Sequence, residues 1–175
     1  MGDKVELNSE HYEQVEFFKY CAVAYLFGFG QADSWYKNGK VPKKISDEIA
    51  IPELEWIHAI PNGGLRGDTK ASAASVGNYM RAEGVKKGVS DIFLPSPIKY
   101  KDGRFLYCGL YIEMKAEKLR PVVSQNSTGE TTDQKRFGEY VKAVGYVHAV
   151  CYNAAEAITV LKKYIALSDI TKLTN

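Results

Sequence analysis

The chain has 175 residues, 45% hydrophobic and 12% aromatic, a length and composition that predict one domain with a substantial core rather than two. No stretch nears the roughly 18 consecutive apolar residues of a membrane span, and the acidic N-terminus lacks the basic-then-apolar order of a secretory signal, so a soluble, cytoplasmic protein is expected. A formal charge of +2 is too small to announce nucleic acid, but residues 66–120 hold 11 Lys and Arg against 6 Asp and Glu, a local basic surplus. Cys21, Cys108 and Cys151 are odd in number and widely spaced, with no CxxC pair. That pattern points to reduced core thiols rather than a disulfide framework or a zinc site.

In chain order, the first element expected is a long helix opening at Ser9. Glu10 and Glu13 suit the positive end of its dipole, and Val15, Phe18, Ala22, Tyr25, Leu26 and Phe29 recur at the spacing of one buried face. Residues 28–51, dense in turn formers and Lys, read as a linker or insertion. Trp56 to Ile60 is a plausible first strand, with His58 read as a packed core histidine. Pro61-Asn62-Gly63-Gly64 then makes a tight turn, either a plain connection or a place where backbone approaches a ligand closely. A small-residue helix follows from Thr69, with Gly84 past its C-terminus.

The stretch from Gly84 to Lys115 carries the chemistry. Two short apolar runs, Ile92-Phe-Leu94 and Leu110 to Met114, read as neighbouring core strands, yet each carries charge where a buried strand should refuse it. Side chains alternate along a strand, so Glu113 and Lys115 share a face while Asp91 stands at the start of the preceding strand. Two carboxylates and an ammonium can therefore converge. Paired carboxylates are the usual way to hold Mg²⁺ with most of its waters, and a nearby Lys can orient water for attack on a phosphodiester. Asp102-Gly103 between the strands reads as a hairpin turn whose arms would carry Lys99, Lys101 and Arg104 toward a duplex.

Beyond Lys115, residues 116–131 are charged and then polar. Thr131-x-x-Gln134 opens a helix as a capping box, with Phe137, Tyr140, Val141 and Val144 expected inward. Tyr146 to Cys151 is a further strand. Asn153-x-x-Glu156 caps a last helix whose register puts Ala157, Val160, Leu161, Tyr164 and Ile165 inside, with fraying expected after Ala166. The order helix, strand, helix, strand, strand, helix, strand, helix implies an α/β fold with a mixed central sheet flanked by helices.

Four segments in order, Ile60-Pro-Asn-Gly-Gly64, Gly84-Val-x-x-Gly-Val-Ser-Asp91, Gly109-Leu-x-Ile-Glu-Met-Lys115 and Gln134 at a helix start, resemble the VRR-NUC family of the PD-(D/E)xK nuclease superfamily, in its stand-alone phage or prophage form. The resemblance spans about residues 10–165. Ser90 stands where Pro is common before the first aspartate. It implies a restriction-endonuclease-like core in a single nuclease domain and a Mg²⁺- or Mn²⁺-dependent endonuclease acting on branched DNA such as four-way junctions, as a homodimer in a bacterial host cell. The implied site comprises Asp91, Glu113 and the Met114 carbonyl as metal ligands, with Glu10 joining through water, and Lys115 and Gln134 beside them. Glu10 has dipole compensation as an equal explanation, and Gln134 has the capping box. Asn62, Gly63 and Gly64 are the implied contacts at the active-site rim, while the basic surplus itself makes Arg66, Lys70, Lys86, Lys87, Lys118 and Arg120 candidates for phosphate contacts. The alternatives are a flap, nick or duplex nuclease built on the same core, or a DNA-binding module without catalysis.

Overall fold

The computed structural model describes residues 9–43, 47–61, 76, 78–121 and 128–173, with side chains to Ser168. Helix α1 runs Glu10–Asn38 and is opened by Ser9, whose Oγ accepts from the Tyr12 N–H at 3.2 Å. Gly28 (φ 81°, ψ 164°) breaks it, and the helix resumes in a new direction. Only a residue without Cβ takes that conformation cheaply. The stretch expected to be linker therefore opens with ten more helical residues, ending at Gly39 in the left-handed region with its N–H on the Trp35 carbonyl. What holds this second segment is long-range. Tyr20 donates to Asp33 Oδ1 at 2.8 Å, Lys162 pairs with Asp33 Oδ2 at 2.6 Å, and Tyr36 meets the Tyr20 ring edge-on.

The buried face of α1 is rotated from the expected one. Phe17, Tyr20, Cys21 and Ala24 are buried, while Val15, Ala22 and Leu26 are exposed and Phe18, Tyr25 and Phe29 are half-buried. The helix is apolar around most of its circumference, so periodicity alone could not choose the face.

The strands are β1 (His58–Ala59), β2 (Ile92–Leu94), β3 (Ile98–Lys99), β4 (Phe105–Tyr107), β5 (Leu110–Met114) and β6 (Val147–Cys151). Past β4 the chain forms two further α-helices among the described residues, α2 (Thr132–Ala143) and α3 (Ala154–Leu173). The main sheet has the order β1-β2-β5-β6, with β5 and β6 parallel and the other neighbours antiparallel, a mixed four-stranded sheet flanked by helices. The β5-to-β6 pairing is parallel because the chain crosses back through α2.

Alternation along the strands separates two faces. Ile92, Leu94, Leu110, Ile112, Met114 and Cys151 pack with Phe17, Tyr20 and Ala24 of α1 and Ala157, Ile158 and Leu161 of α3, forming the core. Truncating one such side chain to Ala costs about 2–5 kcal/mol. The opposite face carries Phe93, Tyr111, Glu113 and His148, with Phe137 of α2 edge-on to Tyr111.

Strands β3 and β4 form a separate hairpin that leaves the end of β2 and returns to the start of β5. That end of the sheet is opposite Asp91 and Lys115. Lys99, Lys101 and Arg104 are thus exposed far from the carboxylates instead of extending the strands beside them, and Arg104 is paired with Asp102 at 2.7 Å. His58 is not a core residue: it lies exposed on edge strand β1, its Nδ1 2.8 Å from the Trp56 carbonyl and its ring edge-on to Phe93. Tyr140 and Val144, expected inward on α2, are 64% and 45% exposed; Val141 is buried as expected, and Gly138 with it. The last helix continues to Leu173, past the fraying expected after Ala166. The cysteines are free thiols, with Cys21 and Cys151 buried.

Candidate functional site

The site is built where β2 begins and β5 ends. Ile92 pairs with Ile112, so Asp91 stands one rung further along beside Glu113. Its Oδ2 accepts from the Met114 N–H at 2.8 Å, which ties the start of β2 to the end of β5. The Met114 side chain is fully buried in the core, leaving only its backbone toward the site. Lys115 extends the pairing, donating its N–H to the Cys151 carbonyl at 2.8 Å, and its side chain returns to the face of Glu113. The two side chains meet at 2.6 Å, Lys115 Nζ to Glu113 Oε1, with Glu113 0% and Lys115 6% exposed.

Gln134 accounts for both explanations offered for it. Its Oε1 accepts from the Thr131 N–H at 2.8 Å while the Thr131 hydroxyl accepts from the Gln134 N–H, completing the capping box. Its Nε2 donates to Glu113 Oε1. A capping amide has an acceptor end and a donor end, and here each has a different task.

Two donors thus converge on one oxygen of Glu113, and Oε2 is buried without a partner among the described residues. An orphaned buried carboxylate oxygen is costly. Burial first, then the charge of Asp91, pushes the Glu113 carboxyl up to about 8 against the opposing pull of Lys115, and Glu10 adds a smaller upward push. The orphaned oxygen faces an electrostatic deficit that a cation would cancel. Asp91, Glu113 and a backbone carbonyl are all hard oxygen donors, which suits Mg²⁺ or Mn²⁺. Among the described residues no group of three or more His, Cys, Asp or Glu is placed to hold a metal ion, and the charge of Glu10 is felt at Glu113.

Of the expected DNA contacts, Lys86 and Lys87 are exposed on the turn leading into Asp91. Asn62, Gly63, Gly64 and Arg66 lie outside the described residues, as does Lys70. Arg120 is committed elsewhere: it pairs with Glu117 at 2.5 Å and Glu156 at 2.7 Å and lies over the Tyr152 ring.

Two supporting groups escaped sequence reasoning. Glu13, taken as dipole compensation for its own helix, is buried and accepts from the Ala154 N–H at 2.8 Å, capping α3 and fixing the turn of α1 that carries Glu10. His148 on β6 bonds Ser90, the fully buried residue before Asp91, through Nε2 to Oγ at 3.1 Å. Burial pulls its imidazole below the ordinary value, with Glu130 opposing and Lys142 adding. The available signal for His148 was a glycine, Gly138, in the interior of a helix, whereas Glu13 sits in the polar run Ser9 to Glu16 and nothing local marks it.

No protein-family model matches the sequence, and no curated protein matches it. A solved structure described as a "VRR_NUC domain protein" is similar to this chain, with 20% identity, coverage of 91% of this chain and 89% of the other, and a TM-score of 0.48.

Proposed function

We propose that this chain is a Mg²⁺- or Mn²⁺-dependent endodeoxyribonuclease of VRR-NUC type, with a restriction-endonuclease-like core, that cuts branched DNA such as four-way junctions. The observation that carries the reading is Glu113: fully buried, with one oxygen held by Lys115 and Gln134, the other without a partner among the described residues, and Asp91 beside it. Burying a half-satisfied carboxylate destabilises the fold, and a cation ligand's role accounts for that cost. The four sequence segments that resemble the family include Asp91, Glu113, Lys115 and Gln134 in the expected order.

In this reading Asp91 and Glu113 hold the cation through their carboxylates, the Met114 carbonyl adds a ligand and Glu10 acts through water. The bound cation would supply Lewis-acid polarisation of a phosphoryl oxygen and a more acidic water. Lys115 stabilises charge developing on the phosphate and orients the attacking water. Gln134 fixes the Glu113 carboxylate so that its free oxygen keeps one direction. Lys86 and Lys87 grip backbone phosphates next to Asp91, with Asn62, Gly63, Gly64 and Arg66 as further contacts.

One such centre makes one nick, and paired cuts across a junction call for two centres related by a twofold axis. The exposed stripe of α1 supports a homodimer. Val15, Ala22 and Leu26 are exposed at helical spacing on one side of α1, beside half-buried Phe18 and Tyr25, an apolar strip for a second copy to cover. A second copy offers the same stripe.

The deciding experiment is cleavage of labelled four-way junction, flap, nicked and linear duplex DNA across a Mg²⁺ and Mn²⁺ titration. The proposal expects metal-dependent paired nicks on the junction. Preference for flap, nick or linear duplex would retain the chemistry and discard junction resolution, and binding without cleavage at any metal concentration would leave the DNA-binding module.

A further inference from the structure

The site face of the sheet holds a histidine for which the proposed hydrolysis has no use. His148 pairs in register with Tyr111, two rungs from the Glu113 to Val150 pair, so its ring rises from the same face of the sheet as Glu113. On one side its Nε2 bonds Ser90 Oγ at 3.1 Å, and Ser90 is fully buried and immediately precedes Asp91. On the other side it meets α2 at Gly138, where a Cβ would lie 2.7 Å from Cε1 and 2.8 Å from Nδ1 of the ring. No real side chain tolerates such a contact, so the imidazole occupies the space that a residue larger than glycine would need. A mid-helix glycine costs about 0.5–1 kcal/mol relative to Ala, and here that cost lets the ring lie against helix backbone.

Gly138 is one turn beyond Gln134, so the thickness of the imidazole sets how far the Gln134 amide stands from the sheet. A second close approach fixes the other side of that residue. Gly88 (φ 80°), in the turn before Asp91, has Asp133 backbone 2.5 Å from where a Cβ would be. The first turn of α2 is therefore seated on the Asp91 loop, and its middle on His148.

We propose that His148 is a positioning residue that sets Asp91, through Ser90, and Gln134, through Gly138, against Glu113. The role in catalysis rests on the nuclease reading above; the geometry does not. His148 touches no reacting atom in this scheme. One ring gauges two members of the site at once, so a displacement of several tenths of an ångström there misplaces both. Misplacement on the scale of 1 Å can cost about a hundredfold in rate.

The experiment compares Gly138→Ala, His148→Leu, His148→Gln and the double variant Gly138→Ala/His148→Leu. Single-turnover cleavage and KM for DNA are measured together with the side-chain amide NMR signal of Gln134, which reports its bond to Glu113 without requiring activity. Gly138→Ala and His148→Leu are expected to lower the single-turnover rate tenfold or more with KM within twofold, and to shift the Gln134 amide signal. His148→Gln, whose amide reaches the position of Nε2, should recover part of the rate. Adding Gly138→Ala to His148→Leu should do much less than it does to the wild-type chain, because the ring it collides with is gone. An unmoved Gln134 signal in both single variants overturns the proposal, as does a full multiplicative effect in the double variant. A wild-type chain that cleaves no DNA with Mg²⁺ or Mn²⁺ sinks the nuclease reading instead, and the amide signal still decides whether His148 positions Gln134.

Discussion

Replacing Glu113 by Gln should flatten the pH dependence of stability in the cation-free protein. The folded carboxyl is raised from its usual 4.5 to about 8 by burial and by Asp91. A carboxyl whose pKa rises on folding leaves stability whole below the unfolded value. As pH climbs from 4.5 toward about 8 the unfolded chain ionises first, and the fold loses about 1.4 kcal/mol per pH unit. Between pH 5 and pH 8 the loss is on the order of 3–4 kcal/mol, an upper bound because Lys115 and local relaxation soften it. His148, with its pKa lowered by burial, gives the opposite slope as pH rises through its own range, but it contributes equally to both proteins and cancels in the comparison. The assay is urea denaturation in EDTA from pH 5 to 8.5 for wild type and Glu113→Gln. The variant should lose markedly less stability over that range, whatever its absolute value at pH 5. Parallel curves for the two proteins would refute the claim that Glu113 is the strained group.

Chelation with EDTA should abolish cleavage, and Asp91→Asn or Glu113→Gln should remove activity while far-ultraviolet circular dichroism stays native. Lys115→Ala should lower the single-turnover rate by about two orders of magnitude or more with cation affinity, by calorimetry, within about tenfold; a loss of affinity equal to that of Glu113→Gln would make Lys115 a counter-ion only. Glu13→Ala leaves the buried Ala154 N–H without its acceptor and should cost about 1–3 kcal/mol in denaturant titrations, with a matching fall in Tm. Leu26→Glu puts charge beside the exposed α1 stripe and should weaken self-association at least tenfold by light scattering; unchanged mass would remove that face from the dimer.

Much of the site was legible in the sequence because its logic is local. Charge inside an apolar strand is a conflict that composition makes visible, and a period of two puts Glu113 and Lys115 on one face before any tertiary contact forms. The capping box at Thr131 and Gln134 was equally local. Other features were hidden for definite reasons. The face α1 buries depends on what packs against it, and its apolar residues encircle the helix. The helical start of residues 28–51 rests on Tyr20 and Lys162, distant in sequence, gripping Asp33. His58 looked like core because its neighbours are apolar, whereas β1 is an edge.

The sequence by itself determined the α/β class, the common face of Glu113 and Lys115 and the capping box at Gln134, since these follow from backbone periodicity and turn chemistry. Only the tertiary structure decided that Asp91 stands beside Glu113, that Arg120 is taken by Glu117 and Glu156, and that Glu113 keeps one oxygen without a partner among the described residues. Those outcomes depend on which charges meet across the fold, and no local pattern encodes that.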